Sequence, residues 1–414
     1  MRSPTTWELL TAEDFAFAWR GMRERETITS FLMEDVESAC ALDDRTVEIR
    51  LREPRNYFPY ILTSPWSFPW PRHKCEQLGD DWRKPENLVG NGPFVLAEFD
   101  DEHALLKPNR YWNGPRGNVA DLLITFGHRG PEAYEAWREG RFDVMEGFDP
   151  SLVDAEDTIA EGIPFLSTGY FGFDATQPPF SNVLLRRAFA HAVDRERLMA
   201  GSPVRAATRG GAIPPAMPGH AHRIGLEYDL ERARALLAEA GYPEGRGLPE
   251  IRIAVPEWVR NKEEFERQFG EIGARVKIEF CKVAGLHRIE GWPMWFTGWT
   301  ADYPDPDGFF RGLFAGTPDR MSFYLDDDLR ELLAKAGSSQ DQDERMRLYH
   351  ELDRLWVSEQ AAIVPVWYGR ALLLRRPWVH GLWTNPLSKV SFDQVVIERT
   401  REPEQLAVPL GDEA

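Results

Sequence analysis

The stretch of sequence that decides most about this protein is GWTADYPDP, residues 298–306. Trp292, Trp295, Trp299 and Tyr303 lie in it or just before it, among acidic side chains and repeated prolines. Aromatic walls lower the local dielectric and a fixed carboxylate supplies a charge-assisted hydrogen bond, so such a segment can hold the ammonium group of a ligand. The same composition also fits an acidic loop covered by packed tryptophans, and the segment alone does not separate the two interpretations.

Length and composition indicate a folded protein with more than one domain. The 414 residues are enough for two or three domains that each bury most of their apolar surface. With 43% hydrophobic and 12% aromatic residues, the chain has the composition of a globular protein rather than a disordered one. Its formal charge of -18, from 49 basic and 67 acidic residues, repels phosphate backbones, so we expect no nucleic-acid partner.

Side chains that would indicate an enzyme, a metal site or a disulfide framework do not occur in the required patterns. Cys40, Cys75 and Cys281 are far apart and odd in number, which fits neither paired disulfides nor a zinc site. The histidines lie in no catalytic triad context, and no glycine-rich phosphate loop is present. His220 and His222 lie in a loop rich in proline and glycine, for which a solvated loop is a better interpretation than a metal site. We therefore expect no catalytic residues, no metal and no cofactor.

Periodic patterns along the chain predict alternating helices and strands. Thr11 and Asp229 are expected N-caps, because each is a short polar residue directly before a helical pattern. The continuous apolar run 119–126 suits a buried strand, and the alternation at 46–51 suits a half-buried one. This succession favours an α/β protein with mixed or parallel sheets. The predicted helices are 11–24, 131–141, 184–200, 230–240 and 341–359, and the other predicted strands are 94–96, 104–107, 251–255, 276–280, 362–367 and 395–397.

Six motifs occur in the order that is typical of one known family. They are 11–15 with Trp19, 91–94 with 109–112, 179–183 with 186–188 and 192–195, 228–231 with 237–242, 298–306, and 363–368 with 376–382. Through these motifs the chain resembles the family 5 extracellular solute-binding proteins, the oligopeptide-, dipeptide- and nickel-binding components of ABC importers. The resemblance spans nearly the whole chain.

The resemblance implies a fold and a function. The expected fold is the α/β periplasmic-binding-protein type II architecture, with two lobes, a hinge and the extra domain of family 5. The expected boundaries are 1–90 for a remnant of the extra domain, 91–176 for lobe one, 177–375 for lobe two, 376–400 for a return to lobe one and 401–414 for a tail. The expected function is capture, without turnover, of a short peptide or similar small polar solute in a cleft between the lobes. A monomer would deliver it to ABC permease subunits in the membrane.

The resemblance also implies roles for particular residues. Asp302 corresponds to the carboxylate that pairs with the α-amino group of a bound peptide, and Trp299 to an aromatic side chain that lines the same pocket. Both roles agree with the chemistry of the aromatic and acidic segment. His287 and Arg288 lie where some peptide-binding members place a basic residue near the ligand. The predicted ligand contacts are therefore Asp302, Trp299, Tyr303, Trp295, His287 and Arg288.

The start of the chain departs from the family pattern. Family members begin with an export signal and a first strand of lobe one, whereas this sequence starts almost at the motif 11–15 and shows no signal-peptide run. We therefore expect an N-terminally truncated member. It would be periplasmic or at the cell surface by resemblance, and cytoplasmic if this start is genuine. The alternatives are a cytoplasmic ligand-sensing regulator domain or an inactive remnant, nickel or haem binding within the family, and a carbohydrate-active enzyme.

Overall fold

Two compact units make up the chain. The structure, a computed structural model, describes residues 9–24, 30–128, 130–146, 148, 153, 159–202, 205–257, 259, 262–281, 291–314, 326–387 and 389–399. Unit 1 comprises Met1–Gln77 and Ile163–Ala371, and unit 2 comprises Leu78–Gly162 and Leu372–Ala414, so the chain passes between the units three times. The assignment of the chain to an extra domain and two lobes stays a prediction, because compactness alone defines these units.

Helices and strands alternate along the chain. The described helices are α1 (Ala12–Arg23), α2 (Phe58–Ile61), α3 (Arg72–Leu78), α4 (Gly130–Arg138), α5 (Val183–His191), α6 (Arg195–Met199), α7 (Leu230–Glu239), α8 (Lys262–Gly270), α9 (Asp307–Phe314), α10 (Asp327–Ser338) and α11 (Gln342–Arg354). None of these helices, over the residues that the structure describes, is long and apolar enough to cross a membrane. The described strands are β1 (Val36–Ala41), β2 (Val47–Leu51), β3 (Phe94–Phe99), β4 (His103–Pro108), β5 (Leu122–Thr125), β6 (Val144–Glu146), β7 (Ile159–Phe173), β8 (Arg205–Ala207), β9 (Ile251–Pro256), β10 (Val276–Cys281), β11 (Met294–Thr300), β12 (Ile363–Arg375), β13 (Val379–His380), β14 (Trp383–Thr384), β15 (Val390–Ser391) and β16 (Val396–Ile397).

Unit 1 is built around a mixed sheet. Its strand order is β10-β9-β11-β7-β12, and β8 also pairs with β12. Strands β10 and β11 run parallel to β9, whereas β11 is antiparallel to β7 and β8 is antiparallel to β12. Parallel neighbours need a crossover connection, and α8 provides one between β9 and β10. The predicted α/β class with a mixed sheet is confirmed.

Capping residues set the helix boundaries. As predicted, Asp229 is the N-cap of α7, where its side chain accepts a backbone N–H from the first turn at 2.9 Å. The prediction of one helix over 184–200 is wrong, because the structure has two helices, α5 and α6, in this range. Asp194 lies between them and accepts the backbone N–H of Arg197 at 3.1 Å, so it acts as the N-cap of the second helix.

Aromatic rings form the core on one face of the unit 1 sheet. The ring centroid of Phe171 in β7 lies 4.8 Å from those of Phe265 in α8 and Phe296 in β11. All three side chains are buried. Such edge-to-face and tilted pairs stabilise a core beyond the burial of their area. These contacts determine which faces of β7 and β11 pack against α8.

Unit 2 contains a smaller antiparallel sheet in the order β3-β4-β5, together with α4. Trp137 of α4 packs with Met145 and Leu374 in a local core. The prediction of a buried strand over 119–126 is wrong: Leu123 is 58% exposed and Ile124 is 39% exposed. The reason is that β5 lies at the sheet edge and, in the described part of the chain, pairs only with β4.

Candidate functional site

Strand β11 carries the first half of the GWTADYPDP segment. It pairs with β7 along its whole length, so that Gly298 lies opposite Gly169 and Thr300 opposite Ser167. The strand ends at Thr300, and Asp302 follows two residues later. The backbone around the predicted ligand carboxylate is therefore held by the central sheet of unit 1.

The other edge of β11 offers backbone hydrogen-bonding groups. Within the described ranges, β9 pairs with only the first two residues of β11. The N–H of Ala301 donates to the carbonyl oxygen of Leu166 in β7 at 2.9 Å. Because alternate residues of an antiparallel strand direct their N–H and C=O groups to opposite sides, Gly298 and Thr300 direct theirs away from β7. An extended ligand can pair with this edge as an added strand.

Trp367 packs against β7 and β11 near Gly298, and Arg205 contacts its ring, although neither residue is among the predicted ligand contacts. The Trp367 ring packs closely against β7 because residue 169 is glycine, where a Cβ would be 2.0 Å from the ring. The same ring reaches β11, 3.4 Å from the position that a Cβ of Gly298 would take. The guanidinium of Arg205 lies 4.9 Å from the Trp367 ring centroid, and burial lowers the pKa of Arg205. Arg205 lies in β8, a strand too short to show a periodic pattern. Trp367 belongs to the predicted strand 362–367, but that pattern does not indicate the contacts of its ring with β7 and β11.

Asp305 is one of two carboxylates in the segment, which Asp307 directly follows, and it has a structural role. Both of its oxygens accept hydrogen bonds from Nη2 of Arg345 in α11, at 2.9 and 3.1 Å. Asp305 is 2% exposed, and burial raises its pKa although Arg345 opposes this shift. A buried pair of this kind fixes the loop but offers no charge to a ligand.

Asp307 is fully buried and holds three side chains together. It accepts hydrogen bonds from the hydroxyl of Tyr303 at 2.7 Å, the hydroxyl of Tyr349 at 3.0 Å and Nε of Arg311 at 2.9 Å. Arg311 also contacts Asp35 at 3.2 Å. Asp307 therefore belongs to the internal support of the segment.

Asp302 differs from the other two carboxylates in its surroundings. It is half-buried, whereas Asp305 and Asp307 are 2% and 0% exposed. It also stands at the end of β11, next to the edge that Gly298 and Thr300 present. Of these three aspartates, Asp302 is the one that combines partial exposure with this position.

Trp299 is half-buried and its indole is fixed. Its Nε1–H donates to the carbonyl oxygen of Gly308 at 3.0 Å. It lies opposite Thr168 of β7, whose hydroxyl donates to the carbonyl oxygen of Ala212 at 2.7 Å. The ring thus presents one partly exposed side with little freedom to turn.

The remaining predicted contacts have different positions. Trp295 is 0% exposed and lies against Gly172, where a Cβ would be 2.4 Å from its ring. Tyr303 is 1% exposed and stacks on Tyr57 with 5.5 Å between ring centroids. In this structure both are core side chains, and a direct contact of either with a ligand stays a prediction. His287 and Arg288 lie outside the described residues.

The described residues contain no arrangement of three or more His, Cys, Asp or Glu side chains that could hold a metal ion. His220 and His222 lie 4.5 Å apart between ring centroids, edge to face. Nδ1 of His220 is 2.6 Å from the carbonyl oxygen of Ile213, and burial lowers the pKa of its imidazole. This pair is engaged within its own loop.

Comparison with known families identifies the class of protein. Residues 7–320 match the family described as bacterial extracellular solute-binding proteins, family 5 Middle, and the chain belongs to this family. The family is one of solute-binding proteins and not of enzymes.

Two curated relatives extend the match over most of the chain. The probable deoxycholate-binding periplasmic protein YgiS of Escherichia coli is 25% identical, over 92% of this chain and 78% of that protein. The periplasmic oligopeptide-binding protein OppA of the same organism is 24% identical, over 90% of this chain and 76% of that protein. The relatives thus share a class and a compartment, while their names give different ligands.

Solved structures confirm the fold. The periplasmic binding protein DppA from Helicobacter pylori, in complex with the peptide STSA, matches with a TM-score of 0.81 at 23% identity, over 96% of this chain and 84% of that one. The predicted periplasmic-binding-protein type II architecture is confirmed.

Proposed function

We propose that this protein captures a short peptide, or a similar small polar solute with a free amino group, for an ABC importer. Asp302 pairs with the ammonium group of the ligand, and Trp299 forms one wall of the same pocket. The observation that carries the proposal is the half-buried Asp302 carboxylate at the end of β11, a strand that β9, within the described residues, pairs at only its first two positions. A charge-assisted bond beside an aromatic wall is the chemistry that an ammonium group needs.

The main chain of the ligand pairs with the outer edge of β11. The groups of Gly298 and Thr300 that point away from β7 supply N–H donors and C=O acceptors there. Bonds to the backbone do not depend on the ligand's side chains, so this edge accepts peptides of varied sequence. Selectivity for the free amino terminus then rests on Asp302.

The names of the relatives support this class of ligand and also supply a rival. One relative is named for oligopeptides and another for deoxycholate, which is an anion without an amino group. An acidic side chain at the centre of the site favours a cationic group over an anionic one. Delivery to permease subunits, a periplasmic location and a monomeric state belong to the same proposal.

Thermal-shift screening tests the proposal. The ligands are dialanine to pentaalanine, their N-acetyl derivatives, deoxycholate and Ni²⁺, each with the wild type, Asp302→Ala and the control Asp343→Ala, which removes an exposed carboxylate of α11. A free-amine peptide at about 100 times its Kd should raise Tm by roughly 3–5 °C, and only Asp302→Ala should remove this shift. Equal shifts with N-acetyl peptides, or a shift with deoxycholate alone, would refute the role of Asp302. Conversion of a peptide to products would indicate an enzyme instead.

A further inference from the structure

Tyr303 follows Asp302 directly in the chain and is anchored at both ends of its side chain. The ring stacks on Tyr57 at 5.5 Å between centroids, with an angle of 22° between the planes. The hydroxyl donates to Oδ2 of Asp307 at 2.7 Å. Burial and the neighbouring Asp307 hold the pKa of Tyr303 well above its ordinary value, so the hydroxyl keeps its proton and stays a donor.

The acceptor of this bond is itself fixed from several directions. Besides Tyr303, the buried Asp307 accepts hydrogen bonds from Tyr349 at 3.0 Å and from Arg311 at 2.9 Å. Donors on three sides leave its carboxylate one orientation. The Tyr303 hydroxyl therefore meets a stationary partner.

The N-terminal part of unit 1 completes this support. Asp35 accepts hydrogen bonds from the hydroxyl of Tyr57 at 2.5 Å and from Nε of Arg55 at 2.9 Å, and it contacts Arg311 at 3.2 Å. Residues 35–57 thus hold both the ring on which Tyr303 stacks and, through Arg311, the carboxylate that Tyr303 reaches. The sequence does not indicate this contact, because residues 35–57 and residues 303–311 are about 250 residues apart in the chain.

The backbone of Asp302 lies between two fixed neighbours. On one side the N–H of Ala301 donates to Leu166 at 2.9 Å. On the other side the carbonyl oxygen of Tyr303 accepts the N–H of Asp305 at 2.9 Å, and the Tyr303 side chain is anchored as described. With both neighbours held, the direction in which the Asp302 side chain leaves the backbone is set.

We propose that Tyr303 is a positioning residue, whose hydroxyl bond to Asp307 orients the Asp302 carboxylate for the ligand's ammonium group. This inference rests on the proposed function. It replaces direct ligand contact by Tyr303 with an action through its neighbour, which agrees with a side chain that is 1% exposed. A small displacement of a charged group weakens a directional bond far more than it weakens general packing against a ligand.

The test compares two buried tyrosines that donate to the same carboxylate. Tyr303→Phe and Tyr349→Phe each remove one hydroxyl bond to Asp307 and keep the ring, but only Tyr303 adjoins Asp302. Isothermal titration calorimetry gives the Kd of trialanine and of N-acetyltrialanine for the wild type and both variants. The measured quantity is the ratio of the N-acetyl Kd to the free-amine Kd, which a loss of stability alone does not change. Thermal melting confirms that each variant is folded.

We expect the ratio to fall roughly three- to tenfold in Tyr303→Phe, with the N-acetyltrialanine Kd unchanged within about twofold. The ratio in Tyr349→Phe should equal that of the wild type. An unchanged ratio in Tyr303→Phe, or an equal fall in both variants, would overturn the positioning role while leaving the amine site intact. A wild-type ratio near one, or no binding of either peptide, would refute the amine site and the positioning role with it.

Discussion

Replacing Asp353 with asparagine should change how the stability of the protein depends on pH. Asp353 lies in α11 and is 0% exposed. Within the described ranges, its carboxylate accepts hydrogen bonds only from the backbone N–H groups of Ala212 at 2.8 Å and Ile213 at 3.5 Å. Burial raises its pKa from 3.8 to about 7, although the two N–H groups oppose the shift. Ala212 in turn accepts the hydroxyl of Thr168, so this carboxylate supports the sheet beside β11.

The direction and size of the effect follow from that pKa. Between pH 4 and pH 7 the folded state keeps the proton that the unfolded state has lost, so the free energy of unfolding falls as the pH rises. The contribution of Asp353 is complete below its unfolded pKa of 3.8 and is lost once the pH passes about 7. Linkage gives a fall of about 2.6 kcal/mol between pH 5 and pH 8 for this one group. The asparagine side chain of the variant does not titrate, and its unpaired amide adds a cost that is constant with pH.

Urea unfolding from pH 5 to pH 8, followed by tryptophan fluorescence and far-UV circular dichroism, measures this difference. The free energy of unfolding of Asp353→Asn should rise relative to the wild type by about 2.6 kcal/mol over the range. Asp343→Asn, an exposed change in the same helix, is the control and should run parallel to the wild type. Parallel curves for Asp353→Asn and the wild type would refute the argument that burial keeps this carboxyl protonated.

Two further changes test the packing that supports the site, each by urea unfolding. Gly169→Ala should destabilise unit 1 by about 1–3 kcal/mol, because the new Cβ would lie 2.0 Å from the Trp367 ring. The control Gly270→Ala should not destabilise it, because no atom lies within 4 Å of the new Cβ. Equal losses of stability in the two variants would contradict the packing argument. Asp305→Ala should lower the free energy of unfolding by about 3–5 kcal/mol, because it leaves the charge of Arg345 buried without its acidic partner. Replacing both residues by leucine should lower it less, because no buried charge then remains. A larger loss in the double variant would contradict a buried ion pair.

The parts of the fold that rest on local chemistry were predictable from the sequence. Asp229 before a helical pattern predicted α7 and its first residue, because an N-cap satisfies N–H groups within its own turn. The ordered motifs predicted the family, which the comparison confirms over residues 7–320. The edge position of β5 was not predictable from the sequence. A continuous apolar run has the same pattern in a buried central strand as in a partly exposed strand at the edge of a sheet.

In the candidate site, too, the sequence shows which residue types are present, whereas contacts between distant segments were not predictable from it. Asp302, Asp305 and Asp307 are alike in sequence, and their difference depends on Arg345 and Tyr349, which lie about 40 residues further along the chain. The stacking of Tyr303 on Tyr57 likewise joins distant segments. Composition therefore indicated an aromatic and acidic candidate site, but it did not indicate which aromatic rings are buried in the core.

A double cycle in isothermal titration calorimetry tests the central claim most directly. It measures the binding free energies of trialanine and N-acetyltrialanine to the wild type and to Asp302→Asn, a change that keeps the shape of the side chain and removes its charge. If Asp302 pairs with the ammonium group, N-acetylation of the ligand and the Asp302→Asn substitution each remove the same charge pair. Their effects on the binding free energy should then be coupled by about 2 kcal/mol or more. Additive effects, within about 0.5 kcal/mol, would contradict an ammonium site at Asp302.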